Sequence, residues 1–381
     1  MSGVRGVAAL LVAVYHYFHP LMPRGSVADR LFGRGYLYVD LFFVLSGYVM
    51  ALNYGSMFST RIRLMDVQNF LWKRFARVYP LYFCVTVAMA AGYFAVYHDF
   101  IDHHSWIVVI LSKPLMDVPL NIMLVQAWGY RSGIVGQAWS ISTEATAYLY
   151  FPLFALLCAR CGKVEISSAV LVCFAAIPAA VWLAEGDGLY HAGTLDLWTG
   201  PPALVRCFGG FSLGICLYRI AGWERARYAF TDSFGAGLTV LYAVLLLNGA
   251  PDLALYPVFP LLILCLAGNQ GWFGRAFGCR PIYVLGLFSY SFYLLHAYLI
   301  PPLYRLERQL SAFLLPWVAW GLAAGSMFIV LLLVAGLAYV GIERPARRML
   351  RELVTQRGGR GQFVSGSFQD QGCSTLPGAL N

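Results

Sequence analysis

The sequence predicts an all-α protein, a polytopic membrane helix bundle of about ten transmembrane helices with both termini cytoplasmic. Three observations predict it. Of 381 residues, 60% are hydrophobic and 12% charged, at a mean hydropathy of +0.66, and no water-soluble domain of this size keeps that much apolar surface covered. Runs of about 20 mostly apolar residues, the length that crosses a bilayer core, recur between short charged loops. Lys and Arg alternate from loop to loop, as the positive-inside rule requires.

The first run, near 4–20, is punctuated by Arg5 and His16, and no small-x-small cleavage site follows it, so it is a helix rather than a signal peptide. Further spans are expected near 36–54, 80–97, 139–158, 166–184, 198–219, 233–249, 253–269, 285–303 and 314–341. The loop after the second span carries Arg61, Arg63, Lys73, Arg74 and Arg77, whereas the next has only Lys113 and Arg131 against Asp99, Asp102 and Asp117. Arg160 with Lys163, then Arg219, Arg225 and Arg227, then Arg275 and Arg280, return to the side of the first set. The segment with Arg344, Arg347, Arg348 and Arg351 ends there too. Arg24, Arg30 and Arg34 dissent, because they fall on the external side. The stretch 105–127 is apolar but broken by Lys113, Pro114, Asp117 and Pro119, which predicts a re-entrant or interfacial segment rather than an eleventh crossing. Residues 1–350 are expected to form the transmembrane domain. Residues 351–381 are expected to be a cytoplasmic, disordered tail, since 355–381 is rich in Gly, Ser and Gln without apolar periodicity.

A net charge of +9 reads here as loop bias set by membrane insertion, and nothing else points to nucleic acid. The cysteines lie mostly in or beside apolar runs and read as small packing residues rather than zinc ligands, so no metal is expected.

Ionisable groups inside a membrane are costly, so each is a candidate for function, with structural pairing as its rival. Arg5 and His16 are 11 residues apart, which returns them to within about 20° of one helix face and separates them by about 16 Å. On the predicted topology His16, Asp40, Glu144 and His296, from four helices, share a layer near the outer surface. On the opposite side Arg74 and Arg77, at i and i+3, suit bidentate phosphate binding, and equally suit an anchor to anionic lipid heads. Glu343 with Arg344 reads as a structural ion pair. A basic inner mouth and a His/carboxylate outer pocket suggest a phosphate-bearing donor from the cytoplasm and an acceptor outside. Acyl transfer to a hydroxyl needs a base, and imidazole suits that near neutral pH, with Asp40 or Glu144 fixing its tautomer.

Six motifs in order carry a resemblance. Arg5 followed by His16 after ten residues, Gly35 to Tyr48 with Asp40, Ser46 and Gly47, Arg74-Phe-Ala-Arg77-Val-Tyr-Pro80, Trp139-Ser140-Ile-Ser-Thr-Glu144, Ser289 to His296, and Glu343-Arg344-Pro345 together resemble the membrane-bound acyltransferase 3 family. That family comprises O-acetyltransferases of bacterial surface polysaccharides, lipopolysaccharides and nodulation factors. Tyr38 stands where the family often has Gly. The resemblance implies that His16 is the catalytic base or acyl-accepting group with Arg5 supporting it, that Arg74 and Arg77 hold the phosphates of acetyl-CoA, and that Glu144 and Asp40 belong to the site. It makes Ser46, Trp139, Ser140 and His296 further candidate residues. It also implies a place in the bacterial inner membrane among membrane lipids, a polysaccharide or lipid-linked glycan as acceptor, and a partner protein of polysaccharide biosynthesis. A carrier or flippase that runs a proton relay through the same His and carboxylates is the rival class.

Overall fold

The computed structural model describes residues 1–103, 113–129, 133–185 and 193–358, and among them there are helices and loops but no strand. The apolar runs become α1 (Ser2–Phe18), α2 (Tyr38–Tyr54), α3 (Leu64–His103), α4 (Lys113–Ile122), α5 (Trp139–Arg160), α6 (Lys163–Glu185), α7 (Gly200–Ala221), α8 (Asp232–Leu247) and α9 (Val258–Gly268). They continue as α10 (Trp272–Gly278), α11 (Arg280–Leu287), α12 (Ser289–Leu295), α13 (Ile300–Leu310), α14 (Pro316–Ala338) and α15 (Arg344–Gly358). A lipid-embedded chain must satisfy its backbone internally, which is why helix is the form these runs take.

The predicted count of about ten crossings is not confirmed among the described residues. Among the described residues, six helical segments are long and apolar enough to cross a membrane: Val27–Phe58, Leu64–Gly92, Gly136–Arg160, Lys163–Glu185, Gly200–Ala221 and Pro316–Leu350. Two more follow if each bent pair counts as one span, Asp252–Gly268 with Trp272–Gly278 at 95° and Arg280–Leu287 with Ser289–Leu310 at 61°. The other two expected spans coincide with α1 and α8, of 17 and 16 residues. Helices of that length reach only about 25 Å against a hydrocarbon core of about 30 Å.

Small residues set the tightest contacts, as expected where helices cannot rely on exclusion from water to associate. A methyl group on Gly47 of α2 would strike the backbone carbonyl of Phe211 on α7, and one on Gly214 would strike the carbonyl of Val44. Gly6 of α1 stands in the same relation to Gly286 of α11. Gly214→Leu should therefore force α2 and α7 apart and cost about 1–3 kcal/mol by overpacking. Gly321→Leu, where nothing lies within 4 Å of an added Cβ, should cost little by comparison. Thermal midpoints of the detergent-purified variants test the difference, and equal midpoints would contradict it.

The dissenting arginines have a local explanation. Arg30 Nη1 donates to the Leu247 carbonyl (2.8 Å), and Arg34 Nη2 to that of Gly249 (3.5 Å), at the C-terminal end of α8. Arg34 also pairs with Asp252 at 3.4 Å. These cations thus neutralise helix carbonyls and a buried carboxylate on a face where positive-inside counting does not place them.

Two further details revise the sequence expectations. Glu343, the last residue of a π-helical turn (Tyr339–Glu343), pairs with Arg347 and accepts from Ser291 Oγ (2.8 Å), while its expected partner Arg344 is exposed. One helical turn, not one residue, brings a guanidinium onto the same face as the carboxylate. Helix α15 runs to Gly358, past the expected boundary at 350, and the rest of the expected tail lies outside the described residues. Of the stretch 105–127, α4 covers ten residues and is held to α3 by Tyr79 and Tyr82, whose hydroxyls donate to the carbonyls of Ile122 (3.0 Å) and Asn121 (2.8 Å).

Candidate active site

Helix α3 begins at Leu64, so Arg74 and Arg77 sit one turn apart within it rather than in a loop. With Arg5 from the first turn of α1, they line a cavity that also exposes Ser46 of α2, Glu144 of α5 and Tyr293 of α12. Arg74 is 9% exposed, donates from Nη2 to the Tyr54 hydroxyl (2.9 Å) and stacks on that ring at 5.1 Å. Its Nε is buried without a partner. Glu144 is fixed by two hydroxyls on one oxygen: Ser46 Oγ and Tyr148 OH (2.6 Å) both donate to Oε1. Its charge faces Arg5, while Arg5, Arg74, Arg77 and Arg347 face one another as like charges. Three guanidiniums against one carboxylate leave the cavity lining with an excess of positive charge. An anion would relieve it.

The histidines lie farther along α1 and just past the end of α12. The rings of His16 and His296 are 4.9 Å apart between centroids, which places the two imidazoles in contact. His16 Nδ1 is 2.9 Å from the Val12 carbonyl oxygen and His296 Nδ1 is 2.5 Å from that of Tyr293. A carbonyl only accepts, so each Nδ1 carries a proton, and in the neutral ring Nε2 is then the acceptor. The Nε2 of His296 is buried with no partner.

Tyr293 joins the two regions. It lines the arginine cavity, its hydroxyl lies 2.8 Å from Ser140 Oγ, and its ring centroid is 5.5 Å from that of His296 and 5.8 Å from that of Phe42. One aromatic side chain therefore stands between the cavity and the imidazole pair.

Two expected site residues are placed otherwise. Asp40, expected to fix a histidine tautomer, has both carboxylate oxygens taken by Arg206 of α7, at 2.8 Å to Nε and 2.7 Å to Nη2. The same guanidinium donates to the carbonyls of Leu197 (3.0 Å) and Tyr36 (3.2 Å), and lies 5.4 Å over the Trp139 ring. Asp40 and Trp139 are thus brought together around Arg206, not around the histidines. Glu144, expected in the outer layer with Asp40, instead bonds Ser46, six residues or about 9 Å along α2 from Asp40, because its side chain reaches toward the arginines.

Arg206 is missed by the sequence reading, although an arginine in the middle of the apolar run 198–219 is itself a signal, because an intramembrane charge demands a partner. Asp196, whose charge bears on His16, and Arg347, in the arginine cluster, come from segments whose approach to the site no local pattern announces. Cys158 and Cys161 form a Cys-x-x-Cys pair that the packing reading of the cysteines passes over; both are free thiols, Cys158 buried and Cys161 partly so. Among the described residues no group of three or more His, Cys, Asp or Glu stands ready to hold a metal ion.

The profile of the acyltransferase domain of the acyltransferase 3 family matches residues 1–336. The chain belongs to this family. As an acyltransferase 3 protein it is a multi-pass membrane enzyme, an acyltransferase. Among its relatives, the acyltransferase MdmB of Streptomyces mycarofaciens is 27% identical over 383 aligned residues, covering 92% of each chain. Protein 2 of the picA locus of Rhizobium radiobacter is 40% identical over 160 residues, 38% of this chain and 75% of that one. No solved structure matches this acyltransferase 3 chain.

Proposed function

We propose that this acyltransferase moves an acetyl group from acetyl-CoA, taken from the cytoplasm, to a hydroxyl of an exported or cell-surface glycan in the bacterial inner membrane. The observation that carries the proposal is an arginine-lined cavity one of whose wall residues, Tyr293, also packs against His296, which in turn meets His16. The cavity fits the donor's phosphates in charge and in unsatisfied donors, because Arg74 Nε is buried without a partner. Arg5, Arg74 and Arg77 would hold those phosphates. The donor supplies a thioester carbonyl. His16, with Nε2 free to accept, takes the proton of the attacking hydroxyl as its oxygen bonds the acyl carbon, and that proton leaves with the thiolate when the carbon–sulfur bond breaks. Ser46 and Tyr148 hold Glu144 so that it faces Arg5.

Arg74→Ala and Arg77→Ala should each raise the half-saturating concentration of labelled acetyl-CoA by roughly 10-fold, the effect of losing one charge-assisted contact. Transfer at saturating donor should fall much less. Donor titration of the purified protein in lipid nanodiscs is the test. An unchanged donor requirement in both variants would return these residues to the role of lipid anchors, and the donor site would have to be sought elsewhere.

A further inference from the structure

Away from the arginine cavity, α1, α11 and α14 leave an open groove of about 550 Å³ between them. It is lined by Leu10 of α1, Arg280 and Val284 of α11, Phe288 at the bend before α12, and Phe328 and Leu332 of α14. Val284 and its neighbours Tyr283 and Leu287 are exposed, which on a helix inside a membrane means turned toward lipid. Close packing of Gly6 on Gly286 fixes α1 against α11, and so holds two of the three walls in place.

One end of the groove is charged and the rest is apolar. Arg280, the first residue of α11, is exposed and makes no hydrogen bond or ion pair with any described residue. By the charge pattern of the loops it stands on the cytoplasmic side. Phe288 lies eight residues, or about 12 Å, deeper, and Leu10 lies equally far from the start of α1. The groove therefore offers a cation at the inner membrane surface followed by about 12 Å of apolar wall.

A basic pocket between spanning helices on the cytoplasmic side attracts an anionic head, and an apolar groove open to the bilayer takes an acyl chain. An anionic phospholipid supplies both on one molecule. No carboxylate lines the groove, so the ammonium of a zwitterionic head finds no partner there. A second copy of the chain fits less well, because a two-fold contact on this face brings both Arg280 side chains together at one depth.

We propose that the groove between α1, α11 and α14 is a binding site for an anionic phospholipid of the inner leaflet, its phosphodiester on Arg280 and one acyl chain along Val284, Phe288 and Phe328. The chain buttresses the 61° bend after α11, beyond which α12 carries Tyr293 to the arginine cavity. The site stands independently of the acyl-transfer reading.

Native mass spectrometry of the full-length protein in neutral detergent, titrated with phosphatidylglycerol or with phosphatidylcholine of the same chains, tests it. The wild-type protein should retain phosphatidylglycerol at a roughly five-fold lower concentration than phosphatidylcholine, and Arg280→Ala should raise the phosphatidylglycerol requirement roughly five-fold while leaving the other unchanged. Val284→Trp fills the groove and should weaken retention of both lipids. Arg308→Ala, at an exposed arginine of α13 outside the groove, should change neither. All three substituted side chains are exposed, so the fold survives the changes. Equal retention of the two lipids by the wild-type protein, or an unchanged preference in Arg280→Ala, overturns the headgroup contact. Unchanged retention in Val284→Trp overturns the groove as the seat of the chain. A wild-type dimer that Val284→Trp dissociates would give the groove to a second copy and overturn the lipid assignment.

Discussion

His16→Ala should lower acyl transfer by about 10³-fold while the protein accumulates in the membrane at the normal level. The size follows from removal of a positioned base, which contributes about 10²–10⁴-fold. The intact fold follows from the contacts of His16. Its Nδ1 bonds the carbonyl of Val12 in its own helix, so its loss strands no distant partner there. The imidazole faces His296 rather than plugging the apolar core formed by Val12, Ala13 and Tyr17, and those residues remain. Transfer of label from acetyl-CoA, measured beside membrane abundance and the thermal midpoint, gives both halves of the result. Full activity in the variant would remove the imidazole from the mechanism. A loss of folded protein matching the loss of activity would make His16 a packing residue. Added imidazole should restore part of the activity of His16→Ala, because the deleted ring leaves its own space next to His296, and a variant that is inactive through misfolding would not respond.

How far the sequence led differs between the fold and the site. Each of the ten apolar runs falls on a helix, because in lipid a long apolar run has no other way to satisfy its backbone. Crossing number was less legible, since length decides it and the sequence does not show where α9 and α12 bend away from their neighbours. In the site, periodicity along α1 put Arg5 and His16 on one face, and the structure sets Arg5 in the wall of the arginine-lined cavity and His16 against His296. The pairing of His16 with His296 was foreseen only as a shared depth. Asp40 shows the limit of depth as an argument. Its place on α2 was readable, but its direction depends on α7, and Arg206 lies 166 residues away in the chain. Long-range charge pairing is set by which helices touch, and close approach at Gly47 and Gly214 brings α2 against α7.

That pairing makes the second large effect. Asp40→Asn should cost about 3–5 kcal/mol, enough to remove most folded protein from the membrane, because it leaves the Arg206 guanidinium charged and buried, with 0% of its side chain exposed. Arg206→Met should be as damaging, since it strands the Asp40 carboxylate. The double variant Asp40→Leu, Arg206→Met removes both charges together and should recover most of the folded yield, short of full recovery by the carbonyls of Tyr36 and Leu197 that Arg206 now satisfies. Size-exclusion yield and thermal midpoint of the three variants complete a double-mutant cycle, and a coupling near zero would dissolve the pair. Activity in the double variant then separates structure from chemistry. If Asp40 orients an imidazole, the rescued protein folds and stays silent. If Asp40 acts through Arg206, as their two bonds indicate, the rescued protein transfers acyl groups, because Phe42 and Ser46 on the same helix again meet Tyr293 and Glu144.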